Sequence, residues 1–156
     1  MKLERISTGI DGLDDLLDGG FIRGRSYVVT GDAGTGKTTV CLQFLASSLA
    51  SGEKAVYVTV DERPAEIVES AAAFSWDLQP YIQSKNLAML DAGPFFESRS
   101  GSTTDQGINP QKLVTDLGTY AKTLGATILI VDPLTPLTRP MPAMMPPHGA
   151  SPSYMP

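Results

Sequence analysis

The apolar positions change their period several times along the chain. "RSYVVTG" (residues 25–31) is a short β-branched run closed by glycine, which predicts a buried strand. In "GKTTVCLQFLASSLASG", Val40, Cys41, Phe44, Leu45 and Leu49 recur at helical spacing, so an amphipathic helix follows and Gly52 stops it. "AVYVTV" (residues 55–60) predicts a second strand, and Pro64 suits the first turn of a helix in "PAEIVESAAAF". "LAMLDA" (residues 87–92) gives a shorter third strand, followed by a loop in "GPFFESRSGSTTDQG". "NPQKLVTDLGTYAKTLG" opens with Asn109 as cap and Pro110 at the first helical position. Its apolar face is expected to carry Leu113, Leu117 and Tyr120, with Gly125 as the stop. "TILIVD" (residues 127–132) is the fourth strand.

Strands that alternate with helices predict an α/β domain built on a mainly parallel sheet. That pattern breaks off after the fourth strand. Residues 138–156 hold six prolines, each of which removes a backbone donor and fixes φ, so neither a helix nor a central strand is expected there. The expected organisation is one domain over residues 1–137 and a disordered Pro/Met-rich tail over 138–156.

Composition narrows the class. A hydrophobic share of 42% with 19% charged residues reads as soluble and globular. No apolar run reaches the roughly 20 residues of a membrane span, and "MKLERISTGID" lacks the apolar core of a secretory signal. A cytoplasmic protein with no membrane partner is the expectation. The net charge of −5 argues against non-specific nucleic-acid binding, which depends on cationic contacts to phosphates. The single Cys41 falls in the helical pattern as a small buried hydrophobe, and the only histidine, His148, lies in the Pro-rich tail, so no zinc site is expected.

The chemistry concentrates in "GDAGTGKTT", Gly31, Asp32, Ala33, Gly34, Thr35, Gly36, Lys37, Thr38 and Thr39. This satisfies G-x-x-x-x-G-K-[ST] in full. The glycines let the backbone curl until successive N–H groups form an anion nest, and the helix that follows adds its positive N-terminal end. Lys37 can reach the β- and γ-phosphates of a nucleotide, and the Thr38 hydroxyl can ligate Mg²⁺. A dinucleotide-binding fold fits worse, because it has no use for the lysine and threonine.

Two acidic positions extend this site. Asp132 ends "ILIVD", and strand ends in a parallel α/β sheet face the ligand crevice, so Asp132 is expected beside the Mg²⁺ held by Thr38. Asp61 and Glu62 follow the second strand in "VTVDERP". If the strand stays extended, Asp61 shares a face with Tyr57 and Thr59, and Glu62 with Val58 and Val60. One of the two is the expected general base that polarises the attacking water.

The segments "TGIDGLDDLLDGGFIRGRSYVVTGDAGTGKTT", "VYVTVDERPAEI", "FSWDL" and "ILIVDPLTPL" together resemble the KaiC-like branch of the RecA-superfamily P-loop ATPases, from about residue 6 to residue 137. The resemblance implies ATP and Mg²⁺ as ligands and ATP hydrolysis in a homo-oligomeric, commonly hexameric ring. It leaves room for protein partners in signalling. By position, Lys37 and Thr38 take the phosphate and magnesium roles and Asp132 the second acidic role. Asp61 and Glu62 fall on a pair of glutamates, the first here shortened by one methylene.

The resemblance also implies further strands after Asp132, one of them lying between the phosphate-loop strand and the Asp132 strand. This sequence turns instead to Pro/Met-rich residues, which reads as an incomplete RecA-like core from a truncated or frameshifted copy. The expected function is therefore an ATP-binding protein that hydrolyses ATP with Lys37 and one of Asp61 and Glu62. The alternatives are a non-hydrolysing nucleotide-binding regulator and an inactive fragment.

Overall fold

The computed structural model describes residues 3–93 and 110–134. Five strands and five helices occur among them: β1 (Arg5–Ile6), α1 (Leu13–Leu16), β2 (Phe21–Ile22), α2 (Lys37–Ala50), β3 (Ala55–Thr59), α3 (Pro64–Ala73), α4 (Gln79–Gln83), β4 (Leu87–Asp91), α5 (Pro110–Leu124) and β5 (Ile128–Asp132). The main sheet has the order β4-β3-β5 and is parallel throughout. None of these helices is long and apolar enough to cross a membrane.

All five residues of β3 are buried, because the strand is paired on both edges and covered on both faces. Alternation along it divides the core in two. Ala55 and Tyr57 pack with Leu42, Leu45 and Leu49 of α2, Ile67 and Ala71 of α3, and Ile128 and Ile130 of β5. Val56, Val58 and Val60 pack on the opposite face with Leu117 and Ala121 of α5. Asp132 continues the Ile128–Ile130 series and so belongs to the α2 face.

The three expected helices form as α2, α3 and α5, with some shifts of face, while α1 and α4 were not expected. On α2 the buried residues are Leu42, Leu45, Ser48 and Leu49, whereas Cys41 and Phe44 only flank the core. Leu42, absent from the expected stripe, is buried because α2 lies between the sheet and the N-terminal segment. On α5, Leu117 is buried as expected and Leu113 packs at the margin, but Tyr120 is exposed and Ala121 and Leu124 take its place.

The largest correction concerns residues 25–31. Far from being a buried strand, this run is irregular and exposed, with Tyr27, Val28 and Val29 all at the surface. A β-branched run becomes a strand only when a neighbour completes its hydrogen bonds. Among the described residues β5 pairs with β3 alone, and no strand reaches residues 25–30. The expectations for residues 94–109 and 135–156, including the Asn109 cap and the Pro/Met-rich tail, lie outside the described residues.

The segment before the phosphate loop forms a two-stranded antiparallel unit, β1 with β2, that periodicity did not reveal. Arg5 Nη1 donates to the carbonyls of Leu17 and Gly20 at 2.6 and 2.9 Å. Asp14 of α1 accepts from Ser7 Oγ at 2.5 Å and from both the N–H and Oγ1 of the buried Thr8 at 2.8 and 2.6 Å. The unit docks on α2 through Gly9, whose carbonyl accepts from Gln43 Nε2 at 2.7 Å. With φ at +69° and Ser47 Cβ 2.3 Å from where a Cβ would stand, residue 9 has to be glycine.

The Ser7 and Thr8 hydroxyls hold the Asp14 carboxyl below its ordinary value of 3.8. A lowered folded value means the stabilisation is complete above 3.8 and is lost as pH falls through the lower value. Asp14→Asn should therefore cost about 1 kcal/mol near neutral pH, allowing for solvent screening of this half-buried group, and should remove part of the acid destabilisation. Urea melts of both proteins at pH 7 and pH 3 check this; an equal loss at both pH values would contradict it.

Candidate functional site: a phosphate loop facing Asp132

Helix α2 begins directly from the glycine loop. Gly34 and Gly36 have φ of +76° and +91°, conformations that side chains with a Cβ rarely adopt. They turn the chain so that Gly36 becomes the N-cap of α2, with no side chain capping the helix. The first intrahelical bond runs from Val40 N to Gly36 O at 3.0 Å, so the amides of Lys37, Thr38 and Thr39 have no helical carbonyl to bond. Three uncapped amides at the positive end of a 14-residue helix are suited to an anion.

The loop is closed on itself from the other side. Lys37 Nζ donates to the carbonyls of Gly31 and Asp32 at 2.9 and 2.6 Å, and Thr35 Oγ1 donates to Asp32 O at 2.8 Å. These bonds hold the lysine over the loop and draw the carbonyls toward it. At Gly31 a Cβ would stand 2.6 Å from Thr35 Oγ1, so a side chain here would displace the hydroxyl that bonds Asp32 O. Gly31, Asp32, Ala33, Gly34 and Thr35 are all exposed, open to a ligand.

Asp132 lies below the first turns of α2. Its Oδ2 accepts a 2.8 Å hydrogen bond from the hydroxyl of Tyr57, which is wholly buried in β3. Burial, then the Asp132 charge, pushes the Cys41 thiol up from 9.0 to about 11. Cys41 stands one turn after Thr38 on the same side of α2. The carboxylate that acts on Cys41 thus lies under the helix face that carries Thr38. Burial first, then the charge and hydrogen bond of Asp132, raises the Tyr57 hydroxyl far above its usual value, so it stays protonated and remains a donor.

The paired acids Asp61 and Glu62 do not continue the strand. β3 ends at Thr59, and the chain bends through Val60, Asp61 and Glu62. Thr59 Oγ1 donates to Glu62 O at 2.6 Å and closes this bend. The alternation expected of an extended strand therefore does not carry on to Asp61 and Glu62. Both acids are exposed, and Val60 N donates to Asp132 O at 3.2 Å, so the bend sits directly beside Asp132.

The structure thus gathers the loop, Lys37, Thr38, Cys41, Tyr57, Asp132 and the Asp61–Glu62 bend at one end of the sheet. Tyr57 escaped the sequence reading as a site residue. The available signal was an aromatic with a polar tip inside a buried apolar run, since such a hydroxyl needs a partner.

A glycine loop opening into a helix, a lysine over that loop, and an acid at the end of a parallel strand packed against that helix define a P-loop NTPase domain of the α/β class. The family model for the KaiC ATPase matches residues 6–146, and the chain belongs to that family. A circadian clock oscillator protein KaiC of Prochlorococcus marinus subsp. pastoris is 42% identical over 95 residues, 60% of this chain and 19% of its own length. A UPF0273 protein of Pyrococcus horikoshii is 33% identical over 147 residues, 90% of this chain and 58% of its own. Among solved structures, a KaiC-like protein from Pyrococcus horikoshii superposes with a TM-score of 0.69 at 30% identity, covering 84% of this chain and 54% of that one. The chain therefore spans about a fifth of the clock protein and little more than half of the archaeal relatives. Membership in this family implies nucleotide binding, generally with Mg²⁺, and KaiC proteins are typically oligomeric.

A thiol raised from 9.0 to about 11 is almost wholly protonated near neutral pH. Alkylation of Cys41 by iodoacetamide at pH 8 should be slower than that of a free cysteine peptide by about a hundredfold, from thiolate fraction alone. Stopped labelling read by intact mass checks this. A rate close to that of the peptide would mean that neither burial nor Asp132 acts on the thiol.

Proposed function

We propose that the chain binds ATP with Mg²⁺ at the loop of residues 31–39 and hydrolyses it, within a ring of like subunits. The observation that carries this reading is the uncapped N-terminus of α2 lying over the Tyr57-bonded Asp132. The donor chemistry fits the cation. A Thr hydroxyl and one carboxylate are hard oxygen ligands, and Mg²⁺ in such sites takes the rest of its shell from phosphates and water. Among the described residues no group of three or more His, Cys, Asp or Glu side chains gathers into a protein cage. When bound, Mg²⁺ would supply charge neutralisation across the β- and γ-phosphate oxygens.

The chain's own groups do the remaining work. Amides of residues 34–39 would bind the β-phosphate, and Lys37 would exchange its bonds to the Gly31 and Asp32 carbonyls for phosphate oxygens. The Thr38 hydroxyl would ligate the cation and Asp132 would hold a water of its shell. Glu62, the longer of the two acids in the bend that Thr59 closes, would orient the attacking water and accept its proton. Asp61 is a residue of the same bend with shorter reach. A base misplaced by about 1 Å can cost on the order of a hundredfold in rate. Asp61 in this slot supports slow turnover, and with it the second reading, a regulator whose nucleotide occupancy matters more than its rate.

Mg-ATP at a hundred times its dissociation constant should stabilise the chain by about 2.7 kcal/mol, and Lys37→Ala should abolish that gain. Thermal melts with and without Mg-ATP read it directly. In single-turnover assays Glu62→Gln should slow hydrolysis by about a hundredfold or more, and Asp61→Asn by much less. Equal loss in the two variants would remove the distinction between them; no shift of the melt in the parent protein would overturn nucleotide binding itself.

A further inference from the structure

The inner face of β3 carries a tyrosine that nothing in the phosphate-loop motif requires. Tyr57 is buried completely, yet its hydroxyl is not idle: it donates a 2.8 Å hydrogen bond to Oδ2 of Asp132 on the neighbouring strand. The register makes this pairing obligatory. Tyr57 stands opposite Ile130 and Thr59 opposite Asp132, so both side chains emerge on the α2 face one step apart along the sheet. The ring itself is locked by Leu42, Leu45 and the rest of that core, which leaves the hydroxyl little freedom.

From this we infer that Tyr57 is a positioning residue: it fixes the Asp132 carboxylate in one orientation, with Oδ2 occupied and Oδ1 turned toward the cation site under Thr38. The inference rests on the nucleotide-binding reading above and deepens it. A hydroxyl suits the task because it orients the carboxylate without neutralising it. The ion pairs among the described residues join Arg23 to Glu4 and Glu53 and do not involve Asp132, so its negative charge remains available to a cation. A lysine or arginine in place of Tyr57 would hold the group equally well and cancel that charge. A phenylalanine would fill the same space and leave the carboxylate free to rotate.

Tyr57→Phe isolates the hydroxyl from the packing. The test measures binding of a fluorescent ATP analogue to the 156-residue chain in EDTA, then titrates Mg²⁺ to find the concentration that gives half the metal-dependent gain in affinity. A Mn²⁺ titration followed by electron paramagnetic resonance gives a second readout independent of turnover. In Tyr57→Phe the metal-free affinity should stay within about twofold of the parent, while the half-saturating metal concentration rises about tenfold or more, the usual size of losing a partner that orients a metal-binding group. In Asp132→Asn, adding Tyr57→Phe should change the metal requirement no further.

An unchanged metal requirement in Tyr57→Phe would overturn the inference and leave nucleotide binding intact. Equal loss of metal-free binding would also overturn it, by showing that the tyrosine holds the fold or the loop and not the carboxylate. Independent, multiplicative effects in the double variant would do the same. If the parent itself shows no metal-dependent binding, the nucleotide reading falls and this inference with it.

Discussion

The register that sets Thr59 of β3 opposite Asp132 of β5 is the constraint on which the rest of the site depends. It fixes which strand positions share the α2 face, and so places the Tyr57 hydroxyl within 2.8 Å of Asp132. It also sets where β3 must end: Val60 N still bonds to Asp132 O, but beyond that point the chain has no partner and bends. A slip of one residue would exchange the two faces of β5, carrying Asp132 to the α5 side and leaving Tyr57 with an unpaired buried hydroxyl. The hydrophobic cores on either side of β3 oppose that slip, because it would turn Ile128 and Ile130 away from α2. Packing energy thus guards a site geometry that it does not itself contain.

That geometry is transmitted to the phosphate loop by a helix. Leu42, Leu45 and Leu49 seat α2 on the sheet, and the loop rides on the helix's N-terminus. The strand that was expected to carry the loop is irregular and exposed among the described residues, so it cannot fix the loop's distance from Asp132. The N-terminal unit adds a second restraint where Gly9 meets Gln43 and Ser47 on the outer side of α2. A helix clamped on two sides can hold Thr38 over a strand end even when its own leading strand is unpaired.

Much of this was legible in the sequence, and the limits are physical. The phosphate loop, the helix behind it and the strands expected over residues 55–60 and 127–132, which form as β3 and β5, were readable because each depends on local spacing and glycine chemistry. Chain periodicity could not show that residues 25–30 lack a partner, since strand formation is decided by a neighbour distant in sequence. It also held only as far as Thr59, where the strand ends and a side-chain bond from Thr59 to the Glu62 carbonyl closes a bend that alternation cannot foresee. The N-terminal unit stayed hidden for a different reason. Its order comes from Arg5, Asp14 and Thr8 bonding to backbone and hydroxyl groups, which leaves no apolar stripe to read.

The two acids after β3 illustrate how far local geometry governs what an acidic pair can do. In the sequence they are two adjacent carboxylates that differ by one methylene. The bend sets where they stand. Thr59 Oγ1 draws the Glu62 carbonyl back toward the strand end, while Asp61 and Glu62 both stay exposed. In the proposed reaction a base must come within hydrogen-bonding reach of its water, about 2.6–3.2 Å, so the one methylene that separates Asp61 from Glu62 matters as much as the bend that carries them. That bend depends on the Thr59 hydroxyl, which ties the Glu62 carbonyl to the strand end and so sets where both carboxylates can stand.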